Sequence, residues 1–464
     1  MIPRERRIVA TVCAALVAAA CARPARPPRK THLARLPAGT EEVAIADDAA
    51  TYAYVEKDGD DAHVVRNGIR GPDYPGIAGV TFSPVTRKLF YWAGSSAGPG
   101  YLVADGVRIG DFGKDGTIVF SADGAHWATL AGMRENGAAP GPVVMVADGV
   151  TLESHPDASV PALSPDGRHL AYLVSAGGQT RLVVDGAERA TYPPATRECS
   201  ARKKRDPRGA SYWPQFQVRY LADGRLGVMT EDADGWGVYR DGTRIASYPA
   251  SMLLARPYLF TGCETVPTIA AWTFTGGGDV LAWWERLEGT AERWRVVVDG
   301  KPVDDVVCST AWPKQPPEVS ADGRHVLYAC TVSEPEARVD VVADGRRYGP
   351  YLDVAAYGWS EDGTHVAYAA AADESDRPWA YYVDGTRRIG GFSAAWRPRL
   401  EPGTGRLAWE GMVEDGGRGV LGVDGRRLAS FDAVVWGPAF RTPGTVTWVV
   451  RRGRRLTRID ASTG

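Results

Sequence analysis

LSPDGRHLAY, Leu163 to Tyr172, is the clearest copy of a phrase that recurs along the chain and decides its architecture. An apolar residue and Ser164 lead into an Asp166-Gly167 turn, and an apolar stretch then ends on an aromatic nine positions after the start. Aligned on that first residue, ten copies start at Ile45, Phe82, Phe120, Leu163, Tyr220, Phe274, Val319, Trp359, Leu400 and Phe440. The aromatic returns as Tyr54, Tyr91, Tyr172, Trp283, Tyr328, Tyr368 and Trp409; Thr129 and Met229 replace it in copies three and five, and Trp448 comes one place early in copy ten. A second phrase, V-V-x-D-G, follows each copy, as at Val183-Val184-Asp185-Gly186, with Asn67-Gly68 as its first variant. Most starts lie 37 to 45 residues apart, the spacing of a four-stranded propeller blade.

One late unit shows how the pattern becomes structure. AAYGWS forms a short strand, Glu361-Asp362-Gly363 a tight turn, THVAYAA a second strand and ADESDRP a polar loop. WAYYV is the third strand, Asp384-Gly385 another tight turn, and TRRIGGF the fourth strand. Asp-Gly supplies the positive φ angles that short hairpins require, and the Asp carboxylate can bond within its own turn. Branched and aromatic residues fill the strands, where they pack well on a pleated surface. A lone sheet of this kind cannot bury both faces, whereas sheets stacked around an axis can. The mature chain is therefore expected to be all-β, with no long helical periodicity.

The phrase S-P-D-G-x-x-x-A-Y followed by V-V-x-D-G resembles the WD-like propeller repeat of the TolB family, also found beside catalytic domains in prolyl-oligopeptidase-type enzymes. The resemblance spans roughly Ile45 to Asp460. It implies a fold and little about function, and a role in a Tol-type envelope system is not carried over.

Copy ten has only three strands before Gly464. Leu33 precedes Ile45 by twelve residues, as Leu428 precedes Phe440. Residues 32–37 are thus expected to complete the last blade and clasp both termini into one ring. The propeller is assigned to residues 32–464. The alternative is two smaller rings divided in the long gaps after Gly186 or Gly242.

Met1 to Ala20 reads as an export signal. Arg4, Arg6 and Arg7 precede a 13-residue apolar core, Ile8 to Ala20, which is short of the roughly 20 residues a membrane span needs. Ala18-Ala19-Ala20 fits a signal peptidase site. The same residues before Cys21 resemble a lipobox, with Ala18 where Leu is usual, and lipidation of Cys21 is the preferred reading. Residues 21–31, opening ARPARPPRK after the cysteine, suit an extended tether. The expected location is the cell envelope, as a lipoprotein facing periplasm or cell surface; a soluble periplasmic or secreted protein is the alternative.

Export changes how the cysteines read. Cys199, Cys263, Cys308 and Cys330 lie outside the signal region, and four thiols in an oxidising compartment allow three pairings. Cys199–Cys263 with Cys308–Cys330 is preferred, because the first pair falls in two consecutive long connectors. No C-x-x-C spacing occurs, so no zinc site is expected. The formal charge of -2 and pI near 6.4 argue against a nucleic-acid surface. A monomer without cofactor or metal is expected.

Strand order assigns loops to faces. The first-to-second and third-to-fourth turns share one face, and both are tight Asp-Gly turns. The second-to-third loops and the blade connectors share the other, where length varies; such variation usually marks the binding face of a repeat array. The connector 187–219 carries Arg202, Lys203, Lys204, Arg205 and Arg208, then Tyr212 and Trp213. These are candidates for docking an acidic protein or an anionic envelope polymer. The plainer reading is a solvated loop pinned by Cys199, with Trp213 packed beneath it.

Catalytic motifs fail on context. Gly94-Ser95-Ser96-Ala97-Gly98 satisfies G-x-S-x-G but lies in a loop between strands, whereas a nucleophile elbow needs a strand-turn-helix. Gly417 to Gly422 satisfies G-x-G-x-x-G yet enters a strand. The acidic clusters near Asp58 and Asp232 lack a full calcium ligand set. His126, His169, His325 and His365 share one repeat position, which argues for a turn or strand-edge role. Glu401 and Arg441, replacing the usual Ser, are the nearest candidates for an axial site. The function expected is non-catalytic binding through the variable-loop face, with an axial propeller enzyme (lyase- or glycosidase-like) or a pure scaffold as alternatives.

Overall fold

The computed structural model describes residues 27–463 except 95–99, 113–115, 133–142, 156–157, 177–178, 193–216, Ala222, 233–234, 250–268, 275–279, 288–292, 310–314, 333–337, 376–377, Arg397 and 414–416. Among the described residues every element is a strand. They form ten antiparallel sheets, each four strands wide in chain order, with small additions in blades six and nine. Blade one spans Thr40–Tyr74, blade four Ala162–Tyr192, blade eight Asp353–Phe392 and blade nine Ala394–Phe431.

The ring is single and closed. Among the described residues there are ten apolar clusters, and each lies between two consecutive blades, including one between blades ten and one. That count decides between one ring and two, since two rings would replace two of these junctions with others. First strands of neighbouring blades pack on one another between blades one and two, three and four, four and five, and seven and eight, and blade one's meets blade ten's, which places the first strands innermost.

Alternation along the second strands explains why the blades stack. Leu89, Tyr91 and Ala93 face blade one, while Phe90 and Trp92 face blade three. Successive side chains in a strand point to opposite faces, so an unbroken apolar run fills two junctions at once. The aromatic of the repeat is the plug: Tyr172, Trp283, Tyr368 and Trp409 are fully buried. Each such ring withdraws on the order of 200 Å² from water, worth about 5 kcal/mol before entropy is counted.

Blade ten takes its fourth strand from the other end of the chain. Arg29–Arg35 pairs antiparallel with Arg455–Ser462, Arg29 opposite Asp460 and Arg35 opposite Arg455. The strand thus runs over 29–35 rather than 32–37, and Arg29 to Thr31 belong to the sheet rather than the tether. Pro27-Pro28 sets the boundary, because proline has no N–H to give to a ladder.

Cys308 and Cys330 are disulfide-bonded. Cys308–Ser309 is an extra strand on blade six, and Cys330 lies in the second strand of blade seven, so the bond ties two blades. Cys199 and Cys263 lie outside the described residues.

Candidate functional site

On the Asp-Gly face, one polar network repeats. In blade four the Ser164 hydroxyl donates to Asp166 Oδ1 at 2.6 Å and accepts the His169 N–H at 2.9 Å. His169 Nδ1 reaches Asp185 Oδ2 at 2.8 Å, and Asp185 Oδ1 accepts the Leu170 N–H. Asp166 therefore braces the first turn, and Asp185 ties the second turn to the strand between. Blades three, seven and eight repeat the pair as His126–Asp148, His325–Asp344 and His365–Asp384, at 2.7 to 2.8 Å. The Asp148 bond holds His126 above the ordinary histidine range. Hydrogen bonds from Ser121, Ser164 and Ser320 hold Asp123, Asp166 and Asp322 below the usual carboxylate range. In blade eight burial works against ionisation, but bonds from Ser360, Thr364 and Gly403 outweigh it and bring Asp362 to about 2.

These histidines also meet the next blade. A Cβ on Gly167 would come within 2.4 Å of the His126 ring, and one on Gly405 within 3.0 Å of His365. The repeated His and Asp are thereby committed to turn geometry and blade spacing.

Glu401 and Arg441, two of the departures from the usual Ser, have structural places. Glu401 is 4% exposed; its Oε1 accepts the Gly444 N–H of blade ten at 2.6 Å, and its Oε2 accepts the Thr404 and Thr463 hydroxyls. A longer acid replaces Ser here because it reaches across to blade ten. The Arg441 guanidinium sits 5.7 Å from the Trp436 ring centre.

Nearer the axis, side chains from one blade bond to the backbone beside the next blade's first strand. Trp92 Nε1 donates to the Gly116 carbonyl at 3.1 Å, Trp284 Nε1 to Gln315 at 2.9 Å, and the Tyr381 hydroxyl to Trp396 at 2.9 Å. Glu42 accepts the Val80 N–H at 3.0 Å. Irregular pairing makes room for this: first strands of blades one, two, eight and ten carry register shifts, and a bulge re-aims the residues around it. Glu410, which the repeat pattern did not single out, lies behind this layer. Burial pushes its carboxyl up to about 7, with the Trp448 indole and Arg399 pulling the other way. It neighbours Ala408 and faces the blade nine–ten junction rather than the axis. No group of three or more His, Cys, Asp or Glu poised for a metal occurs among the described residues.

The opposite face carries the length variation. Connectors there shrink to single residues, Leu352, Ser393 and Asp432, yet stretch from Tyr192 to Gln217 and from Pro249 to Ile269. Arg202, Lys203, Lys204, Arg205, Arg208, Tyr212 and Trp213 all belong to the first long connector and lie outside the described residues, as does Cys21.

No family model matches the chain, and no curated protein matches it. Solved structures similar to it include a eukaryotic initiation factor, 11% identical over 79% of this chain and 90% of that one, with TM-score 0.43. A puromycin hydrolase is 14% identical over 73% of this chain and 59% of its own, with TM-score 0.32. TolB from Acinetobacter baumannii is 14% identical over 66% and 77%, with TM-score 0.26. Likeness this slight carries no argument, and function is left to this chain's own residues.

Proposed function

We propose that this is a non-catalytic propeller, exported and anchored in the cell envelope, that binds a protein or polymer partner through its variable-loop face. The observation that carries the reading is the unequal construction of the two faces. One is built from the same braced Asp-Gly turns in blade after blade, with its His and Asp side chains bonded to each other. The other concentrates every long connector of the ring. Repeat scaffolds place their binding surface where insertions are tolerated, because those segments lie outside the packing that holds the ring. The basic-aromatic connector around Arg202 to Trp213 supplies charge and flat apolar surface, which suits an acidic protein or anionic polymer.

Photo-cross-linkers placed in the native envelope test this. Cross-linkers at Arg202, Arg205 and Tyr212 should capture one partner that a cross-linker at the exposed turn residue Arg168 does not. Equal capture from both faces, or turnover of a glycan or peptide library by the purified protein, would overturn the reading.

A further inference from the structure

Three arginines stand in register across blade ten. Arg452 of the second strand lies opposite Arg455 of the third, and Arg455 lies opposite Arg35, which ends the strand contributed by the other end of the chain. Gly453, at φ +57°, closes the two-residue turn that fixes this row. Among the described residues no other blade lines up more than one cation at that end. The matching rows read Gly94–Gly100–Phe112 in blade two and Ala371–Trp379–Phe392 in blade eight. Blades six and seven have one cation each there, Arg286 and Arg338.

Alternation places the row. Ala34, Leu36 and Leu456 pack towards blade one, so Arg35 and Arg455 take the opposite side of the sheet, where Val450 and Ile459 meet blade nine. All three arginines are exposed at the variable-loop rim of that junction. Neighbouring strands lie about 4.8 Å apart, so the row spans roughly 10 Å. Like charges directly opposite one another destabilise a sheet, and among the described residues none of the three forms an ion pair. Asp432, a carboxylate that reaches the hairpin, accepts the Gly453 N–H and faces Arg418 at 3.3 Å. Arg454 is accounted for by its bond to Leu36, and Arg458 by Asp460. The row of three adds repulsion to the fold and no bond.

The surroundings narrow what would bind. Arginine presents a planar fork that matches the oxygens of a carboxylate or a phosphate. Protein interfaces centre on buried apolar anchors, and no large apolar side chain is exposed among the described residues of blade ten. The turns at the same place in blades one and five to nine carry Asp or Glu, as at Asp58-Gly59-Asp60-Asp61 and Asp373-Glu374, whereas Arg451 to Arg455 has neither. A compact anion would engage one fork or two. A chain of anions can follow the whole row, repelled by the acidic turns elsewhere on the face.

We propose that Arg35, Arg452 and Arg455 form a site for a linear anionic polymer at the blade nine–ten edge of the variable-loop face. The inference rests on the partner-binding reading above and narrows the partner to a polymer whose repeating carboxylate or phosphate groups lie along the three guanidinium groups. Binding held by charge in this way weakens as salt rises.

The test uses the purified full chain and fluorescent polygalacturonate, inorganic polyphosphate and polyglutamate, followed by anisotropy; polyglutamate stands for an acidic protein segment. Polygalacturonate, polyphosphate or both should bind more tightly than polyglutamate and release in high salt, and which of them binds says whether carboxylate or phosphate is read. Replacing Arg35, Arg452 and Arg455 together by Gln should weaken binding at least about tenfold. That variant should melt no lower than the parent, because a repulsion has been removed. Replacing the exposed Arg168, Arg324 and Arg388 by Gln removes the same charge elsewhere and should change affinity by less than about twofold. No binding, tightest binding to polyglutamate, or equal loss in both variants would overturn the site; so would a lower melt in the first variant, which would make the row part of the fold. The two readings fail separately. A partner captured by cross-linkers at Arg202 and Arg205 while no polymer binds sinks this site alone, and polymer binding with no captured partner sinks the connector's role and leaves the site.

Discussion

Leu36 and Arg454, from the two ends of the chain, hold each other twice. The Leu36 N–H donates to the Arg454 carbonyl at 2.6 Å, and Arg454 Nε donates to the Leu36 carbonyl at 2.8 Å. Leu36 is 2% exposed and packs with Val449, Leu456 and Tyr54, so the same residue joins blade ten to blade one. Leu36→Ala removes that contact and should cost about 2–4 kcal/mol in denaturant unfolding. Hydrogen exchange should show faster opening of the amides in Arg29–Arg35 than of those in Val366–Ala371, because the closing strand has no covalent neighbour in its sheet.

The turn glycines offer a comparison within one molecule. Gly167 and Gly224 hold the same place in blades four and five, at φ of +69° and +82°. A Cβ at Gly167 meets the His126 ring at 2.4 Å, whereas at Gly224 nothing lies within 4 Å. Both Ala substitutions carry the left-handed backbone cost of about 1 kcal/mol. Gly167→Ala should lose about 1–3 kcal/mol more, and His126→Ala in that background should recover the difference. Equal melting temperatures for the two single variants would show that the histidine does not space the blades.

Much of this was legible in the sequence and some was not, for a physical reason. The phrase around Leu163 repeats because local turn chemistry and strand alternation repeat, and both are written in consecutive residues; ten copies therefore give ten blades. Contacts between blades join residues well apart in sequence, 43 positions for Glu401 and Gly444. The reach of Glu401 to Gly444, the His126 ring against Gly167, and the extra strand at Cys308–Ser309 have no local signature. Glu410 looks like any polar strand residue until Trp448 from the next blade covers it. The basic connector remains a reading of sequence, since Arg202 to Trp213 lie outside the described residues.

The His126–Asp148 pair predicts a titration. Its hydrogen bond raises the His126 pKa above 6.5, so the pair stabilises the blade below the unfolded value, and that contribution fades as pH rises through the folded pKa. Asp148 has two jobs: Oδ1 accepts the Trp127 N–H at 2.9 Å while Oδ2 holds the ring. Blade one performs the first job with Asn67, which accepts the Tyr52 N–H at 2.9 Å and has no histidine to hold. Asp148→Asn should therefore keep the fold while the His126 pKa, followed by NMR, falls towards the ordinary value. A titration unchanged by the substitution would deny the pair its role.

Glu410 makes the opposite case. Burial raises its pKa from 4.5 to about 7, so the folded protein keeps a proton there that the unfolded chain has already released. Stability then falls as pH rises from the unfolded value towards the folded one, because the native state must either hold the proton against the solution or bury a charge. Glutamine has nearly the same shape and never ionises. At pH 3.5, below both values, the variant Glu410→Gln should match the parent within experimental error. At pH 8 it should be more stable by up to about 3 kcal/mol, the free energy of a shift of roughly this size. Denaturant midpoints at the two pH values decide it. If the parent gains stability between them relative to the variant, the carboxylate is welcome where it sits, and the junction of blades nine and ten must supply a partner for it that the indole of Trp448 and the guanidinium of Arg399 do not.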